Sequence, residues 1–154
     1  MTYEKISFTI VRQLIEEIFE SKNNSADLDL TPDSIHKFAE LSGIQLKWRP
    51  ILNWADCFES NSYEYTDKDF LEIAFAKVKT SNGQTIVVTD ECFKDKMAFS
   101  ILNFNDMIEF MDVVYPHLFN MQFAQPSDFI FIQPDIHLIT MIHHEGVRTK
   151  YCKS

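Results

Sequence analysis

The spacing of the apolar residues changes along this chain, and that change limits the folds open to it. In the first 41 residues the apolar residues recur every three or four positions, which is the period of an amphipathic helix. From Phe70 onward, short runs rich in β-branched and aromatic residues alternate with turn signals, as strands do. Helices followed by strands predict an α+β protein whose sheet is mostly antiparallel.

Two N-terminal helices are expected. The first covers roughly residues 7–21, with Ser7 as its cap. The second begins at the sequence TPDS, where Thr31 is the expected cap and Pro32 the first helical residue. Gly43 is the predicted stop of this helix, because glycine readily adopts the left-handed conformation that ends helices.

From Phe70 onward, five or six strands interrupted by one helix are expected, with one more short strand before them. The Asn-Gly pair of SNGQ, between FLEIAFAKVKT and TIVVTD, predicts a β-hairpin. Further strands are predicted at MAFSILNF, FIFI, HLITMIH and VRTKYC, with a short one at IQLKW that ends before Pro50. The interrupting helix is predicted around Ile108 and Met111, capped by Asn103 or Asn105 and ended by Pro116.

The chain length indicates a single domain, and the cysteine content indicates that its thiols are reduced. A chain of 154 residues can bury one core without disulfides, so residues 1–154 are expected to form a single domain. Cys57, Cys92 and Cys152 are widely spaced and form no CxxC pair, which favours reduced thiols in the cytoplasm. The N-terminal sequence lacks the features of a secretory signal, and no apolar run is long enough to span a membrane.

The charge of the chain indicates which partners it can attract. It carries 23 acidic residues against 14 Lys and Arg, a formal net charge of −9. Phosphate contacts require clustered Lys and Arg, so direct binding of nucleic acid is not expected. A basic protein is the partner that this charge favours.

Acids and aromatic residues are interleaved in the segment 54–72. Its six acids and single base, Lys68, contribute five of the nine net negative charges. Aromatic residues supply buried area at protein interfaces, and acids steer a basic partner toward them. The predicted partner-binding residues are Trp54, Asp56, Phe58, Glu59, Tyr63, Glu64, Tyr65, Asp67, Asp69 and Glu72. The alternative is a solvated loop whose rings cover the core.

A metal site near the C-terminus is the competing hypothesis. Consecutive strand residues point to opposite faces, so His143 and His144 cannot hold one ion. His137 and His143 share a face but lie roughly 20 Å apart, whereas zinc needs ligand atoms within about 2 Å. A turn over residues 144–147, with Gly146 at positive φ, is favoured instead. No metal, other cofactor or catalytic residue is predicted.

The second half of the chain resembles small bacterial immunity proteins. The resemblance lies in LNFNDMIEFMDVVYPHLF, a Phe-rich helix, followed by DFIFIQPDIHLITMIHHEG, a strand pair that ends in a His-Glu turn. It is similar to immunity proteins of the SUKH type and of contact-dependent inhibition systems. The resemblance implies a small cytosolic protein without enzymatic activity that binds a cognate toxin, often a nuclease, and blocks its active site.

The leading hypothesis is therefore an immunity protein that occludes a basic toxin domain. Two alternatives remain open. One is a small metal-dependent hydrolase that uses His143 and Glu145, with His137 or His117. The other is a non-enzymatic adaptor domain.

Overall fold

An antiparallel sheet with helices on both faces forms the centre of the molecule. The computed structural model describes residues 3–46, 48–50, 71–72, 75, 82–119, 128–143 and 147–152, with the backbone alone at 48–50 and 147–150. The strands are Tyr3–Ser7 (β1), Trp48–Pro50 (β2), Thr85–Thr89 (β3), Met97–Ile101 (β4), Phe129–Gln133 (β5), Leu138–His143 (β6) and Val147–Cys152 (β7). The helices are Phe8–Phe19 (α1), Pro32–Leu41 (α2), Phe104–Glu109 (α3) and Tyr115–Phe119 (α4).

The predicted α+β class is confirmed. Within the described residues the sheet has seven strands in the order β1-β4-β3-β5-β6-β7-β2, and each pair of neighbours is antiparallel. A π-helical segment, Phe110–Val114, joins α3 to α4. We call the resulting unit, residues 104–119, the composite helix.

The two N-terminal helices form where their sequences predict. The Ser7 hydroxyl oxygen accepts a hydrogen bond from the Ile10 backbone N–H at 3.4 Å, and the Thr31 hydroxyl oxygen accepts one from the Ser34 N–H at 3.2 Å. Such caps satisfy backbone donors that have no partner in the first helical turn. After α2 the chain reverses at Gly43, whose φ of 81° is readily available to glycine.

Helices cover both faces of the sheet. Phe99 of β4 contacts the rings of Phe110 and Tyr115, which places the composite helix on one face. The register aligns Phe99 with Val87, Phe131, Thr140 and Lys150 across the sheet, so these positions share one face. Tyr151 follows Lys150 in β7 and therefore lies on the opposite face. The ring of Tyr151 packs edge-on against Phe19 of α1 at 5.0 Å.

The first element of the described chain is a strand, which the prediction of N-terminal helices missed. β1 pairs with β4 along one edge of the sheet, with Tyr3 opposite Ile101. Its sequence YEKIS has exposed charges and gives no alternating pattern to detect. The ladder to β4, residues distant in sequence, supplies the hydrogen bonds that make it a strand.

The hairpin predicted at SNGQ is wrong. β3 is hydrogen-bonded to β4 on one side and to β5 on the other, so no edge of β3 is left for a strand formed by residues 70–80. In that run Leu71, Glu72 and Phe75 are helical. Instead of forming a hairpin turn, Gly83 lets the backbone pass close to the Asp135 side chain. A Cβ added there would lie 2.7 Å from the carboxyl carbon of Asp135.

Two boundaries set by proline are also corrected. Pro116 does not end the third helix but lies at the second position of α4. Proline is tolerated in the first turn of a helical segment, and the π-helical segment makes that position such a turn. The short strand predicted at IQLKW lies instead at Trp48–Pro50, on the outer edge of the sheet, where a proline is acceptable.

In the described residues, no helix has both the length and the apolar character needed to cross a membrane.

Candidate partner-binding surface

The predicted partner-binding segment lies almost entirely outside the described residues. Glu72 is the exception, and it is helical and exposed. The other predicted residues, which lie outside the described ranges, are Trp54, Asp56, Phe58, Glu59, Tyr63, Glu64, Tyr65, Asp67 and Asp69. Their role as a binding segment stays a prediction.

The histidines near the C-terminus are spread along one hairpin. β6 and β7 pair antiparallel with His143 opposite Val147, which confirms the predicted hairpin, while its turn at residues 144–146 lies outside the described residues. His137 is exposed in a left-handed turn (φ 51°) before β6, not within the strand as predicted. His137 and His143 therefore flank opposite ends of β6, too far apart to ligate one ion.

No group of three metal-ligating side chains occurs within the ranges that the structure describes. His117 lies on the exposed side of α4. Glu145, which the hydrolase hypothesis also requires, lies outside the described residues, so that hypothesis stays a prediction.

The structure does assemble one buried polar cluster, which sequence reasoning missed. The Tyr115 hydroxyl donates a hydrogen bond to Oγ1 of Thr89 at 3.1 Å, and Sγ of Cys92 lies 3.5 Å from the same oxygen. Burial raises the pKa of the Cys92 thiol, and the hydrogen bonds from Thr89 only partly offset this effect. A protonated thiol is a poor nucleophile, and the contacts observed in this cluster are packing contacts between the composite helix and β3.

The composite helix buries an aromatic side against the sheet. Phe110 and Tyr115 are both at most 2% exposed, and both contact Phe99. Residues five apart in an ideal α-helix lie about 140° from each other around the axis. The wider turn of the π-helical segment is what brings these two rings to the same side.

The solvent-exposed part of the composite helix combines apolar exposure with negative charge. Val113 is 58% exposed and Leu118 46% exposed, and Leu102, just before the helix, is 58% exposed. Glu109 is exposed on the same unit. Residues 102–119 contain three acids, Asp106, Glu109 and Asp112, and neither Lys nor Arg. We call Glu109, Val113 and Leu118 the acidic helix face.

The sequence contained part of this signal. The helical period placed Asp106, Glu109 and Asp112 on the side away from the core, and the absence of basic residues is visible in the letters. The same period puts Val113, four residues after Glu109, on that side as well. Exposed aliphatic side chains bordered by charge are typical of protein-interaction sites.

The fold and this surface define an α+β protein with an acidic, partly apolar face. Comparison of the chain with protein families, with characterised proteins and with solved structures found no match. The functional argument therefore rests on the surface itself.

Proposed function

We propose that this protein is an immunity protein that binds a basic toxin domain and blocks its active site. The observation that carries the proposal is the acidic helix face, where exposed Val113 and Leu118 accompany Glu109 in a stretch without Lys or Arg. Burying exposed apolar surface against a partner is favourable by about 25 cal/mol per Å² of surface removed from water. Acids around them attract a partner of opposite charge and repel acidic proteins.

The chemistry of nucleases suits this arrangement. A domain that cleaves nucleic acid holds its substrate with Lys and Arg, and an acidic protein can occupy those residues in place of phosphates. The net charge of −9 favours such a partner over long range at low salt. The segment 54–72 is the second proposed contact region, because it concentrates acids and aromatic residues.

Co-expression tests the proposal directly. The probe is the protein encoded by the gene next to the one for this chain, produced with and without the chain in the same cells. We expect the chain to protect growth and to bind the purified domain at one-to-one stoichiometry in calorimetry. If the pair neither binds nor protects, the proposal is wrong.

Two substitutions test whether the acidic helix face makes the contact. Glu109→Lys should slow association about tenfold at low salt, with a smaller effect at high salt, because it reverses a steering charge. Val113→Asp should weaken binding by more than about 1 kcal/mol, since it places a charge where apolar contact is expected. Glu17→Lys is the matched control, because Glu17 is also exposed but lies on α1.

The segment 54–72 is tested separately in the same assay. Glu64→Gln should mainly slow association, whereas truncation of Tyr63 or Tyr65 should cost more than about 1 kcal/mol if that ring is an anchor. A variant with Glu59, Glu64, Asp67 and Asp69 all replaced is the decisive case. If its affinity and salt dependence equal those of the wild type, the segment does not contact the partner. The acidic helix face would then be the remaining interface.

A further inference from the structure

The Asn-Gly pair at residues 82–83 does not form the hairpin turn that its sequence predicts, and it lies at the surface just before β3. It is the only Asn-Gly pair in the sequence, because the other two glycines follow Ser42 and Glu145. Asn82 is exposed, whereas Gly83 is half-buried beside the carboxyl group of Asp135. The close approach to Asp135 accounts for the glycine. It does not account for an asparagine before it.

An asparagine followed by glycine carries its own reactive partner. The backbone nitrogen of Gly83 can attack the side-chain carbonyl carbon of Asn82, because glycine has no Cβ to obstruct the approach. The two groups belong to adjacent residues, so the attack is intramolecular and needs no bimolecular encounter.

The atoms balance with water as the co-reactant. A bond forms between the Gly83 nitrogen and Cγ of Asn82, which closes a cyclic imide. The nitrogen gives its proton to the departing amine, the bond from Cγ to Nδ2 breaks, and ammonia leaves. Water then opens the imide at either carbonyl, restores a backbone N–H at Gly83 and leaves a carboxylate, as aspartate or as its β-linked isomer isoaspartate.

The fold supplies a hydrogen-bond donor at the atom where charge develops. The backbone N–H of Asn105 donates a hydrogen bond to Oδ1 of Asn82 at 3.3 Å. At this length the bond to a neutral amide is weak, since N–H···O bonds are most often about 2.9–3.0 Å long. Attack on the carbonyl carbon puts negative charge on Oδ1, and hydrogen bonds to an ionised oxygen are shorter and stronger. The contact therefore stabilises the transition state more than the amide, which is the condition for acceleration.

We infer that Asn82-Gly83 is a self-modification site, at which the folded chain converts Asn82 to aspartate or isoaspartate while the Asn105 N–H stabilises the oxyanion. One added negative charge changes the formal net charge from −9 to −10. The new carboxylate forms where residue 82 contacts the first turn of the composite helix. This inference does not depend on the proposed function.

Mass spectrometry of the full chain, incubated at neutral pH and then digested with trypsin, tests the site against an unincubated sample. Cleavage after Lys79 and Lys94 releases residues 80–94, in which Asn82 is the only asparagine. We expect this peptide to exchange its amide for a carboxylate at least as fast in the folded chain as in the same chain unfolded in urea. Asn82→Gln should abolish the change, because its longer side chain places the carbonyl carbon farther from the attacking nitrogen. A lower rate in the folded chain than in urea would overturn the inference, since the fold would then hold the reacting atoms apart.

Removing the Asn105 N–H separates the effect of the fold from the reactivity of the sequence. Asn105→Pro removes this donor at the second helical position, where proline is tolerated, and Asn105→Ala keeps the donor as the matched control. We expect Asn105→Pro to slow the reaction about tenfold in the folded chain and to leave the rate in urea unchanged. Asn105→Ala should react like the wild type in both states. Equal folded-state rates in the two variants would overturn the inference. If Asn105→Pro fails to fold, the comparison of folded and unfolded wild type decides.

Discussion

The hydroxyl group of Tyr115 donates a hydrogen bond to the Thr89 hydroxyl oxygen at 3.1 Å, and both residues are at most 2% exposed. This bond joins the composite helix to the end of β3, and Cys92 touches the same oxygen from the turn that follows β3. The helix is thereby fixed on the sheet by a polar contact as well as by aromatic packing. Its rotation, and so the exposure of Val113 on the other side, depends in part on this contact.

Removing the Tyr115 hydroxyl should destabilise the protein. Tyr115→Phe keeps the ring but deprives Thr89 of its donor, and we expect a loss of about 1 kcal/mol in the free energy of unfolding, measured by urea denaturation. Thr89→Val removes the other partner. The double variant should lose less than the sum of the two single variants, because no polar group is then left without its partner. Strictly additive losses would mean that the hydrogen bond contributes nothing.

The same cluster predicts a loss of stability at alkaline pH. Burial raises the pKa of the Cys92 thiol above its ordinary value of 9.0, and it raises the pKa of the Tyr115 phenol as well. Above about pH 9 the unfolded chain releases these protons and the folded chain retains them, so unfolding is increasingly favoured as the pH rises. Urea unfolding between pH 7 and 10.5 should show this decline. Cys92→Ala should flatten the part of it that begins near pH 9.

A side chain at Gly83 requires the Asp135 carboxyl group to move. The added Cβ of Gly83→Ala would lie 3.1 Å from Oδ1 and closer still to other atoms of the Asp135 carboxyl group. We expect a cost of about 1 kcal/mol from this crowding. In an Asp135→Ala background the same change should be neutral or stabilising, because alanine restricts the unfolded chain more than glycine does. If the loss of stability persists in that background, its cause is the backbone conformation of Gly83 and not the contact with Asp135.

Deleting one residue from the π-helical segment should be tolerated. Without Val113, Phe110 and Tyr115 would be four residues apart, and an ordinary α-helix keeps such residues on one side. Circular dichroism should then show an unchanged helix content with cooperative unfolding. Deleting Ile108 from α3 is the matched control and should destabilise the protein strongly, because it rotates Phe104 and Met107 away from the side that Phe110 buries.

The sequence by itself determined the elements that depend on neighbouring residues. The cap at Thr31, the proline that begins α2 and the reversal at Gly43 are local, since each involves contacts within a few residues. The hairpin of β6 and β7 is also local, because its strands are joined by three residues. The free energy that favours these elements comes from residues close together in the sequence, so the sequence alone predicts them.

Tertiary structure decided the rest. β1 is a strand because β4, more than ninety residues away, pairs with it, and residues 71, 72 and 75 are helical although their run alternates like a strand. The π-helical segment exists because Phe110 and Tyr115 both pack on Phe99. In each case the stabilising contacts are with residues distant in the sequence, which only the folded chain brings together. No local sequence pattern could therefore predict these elements.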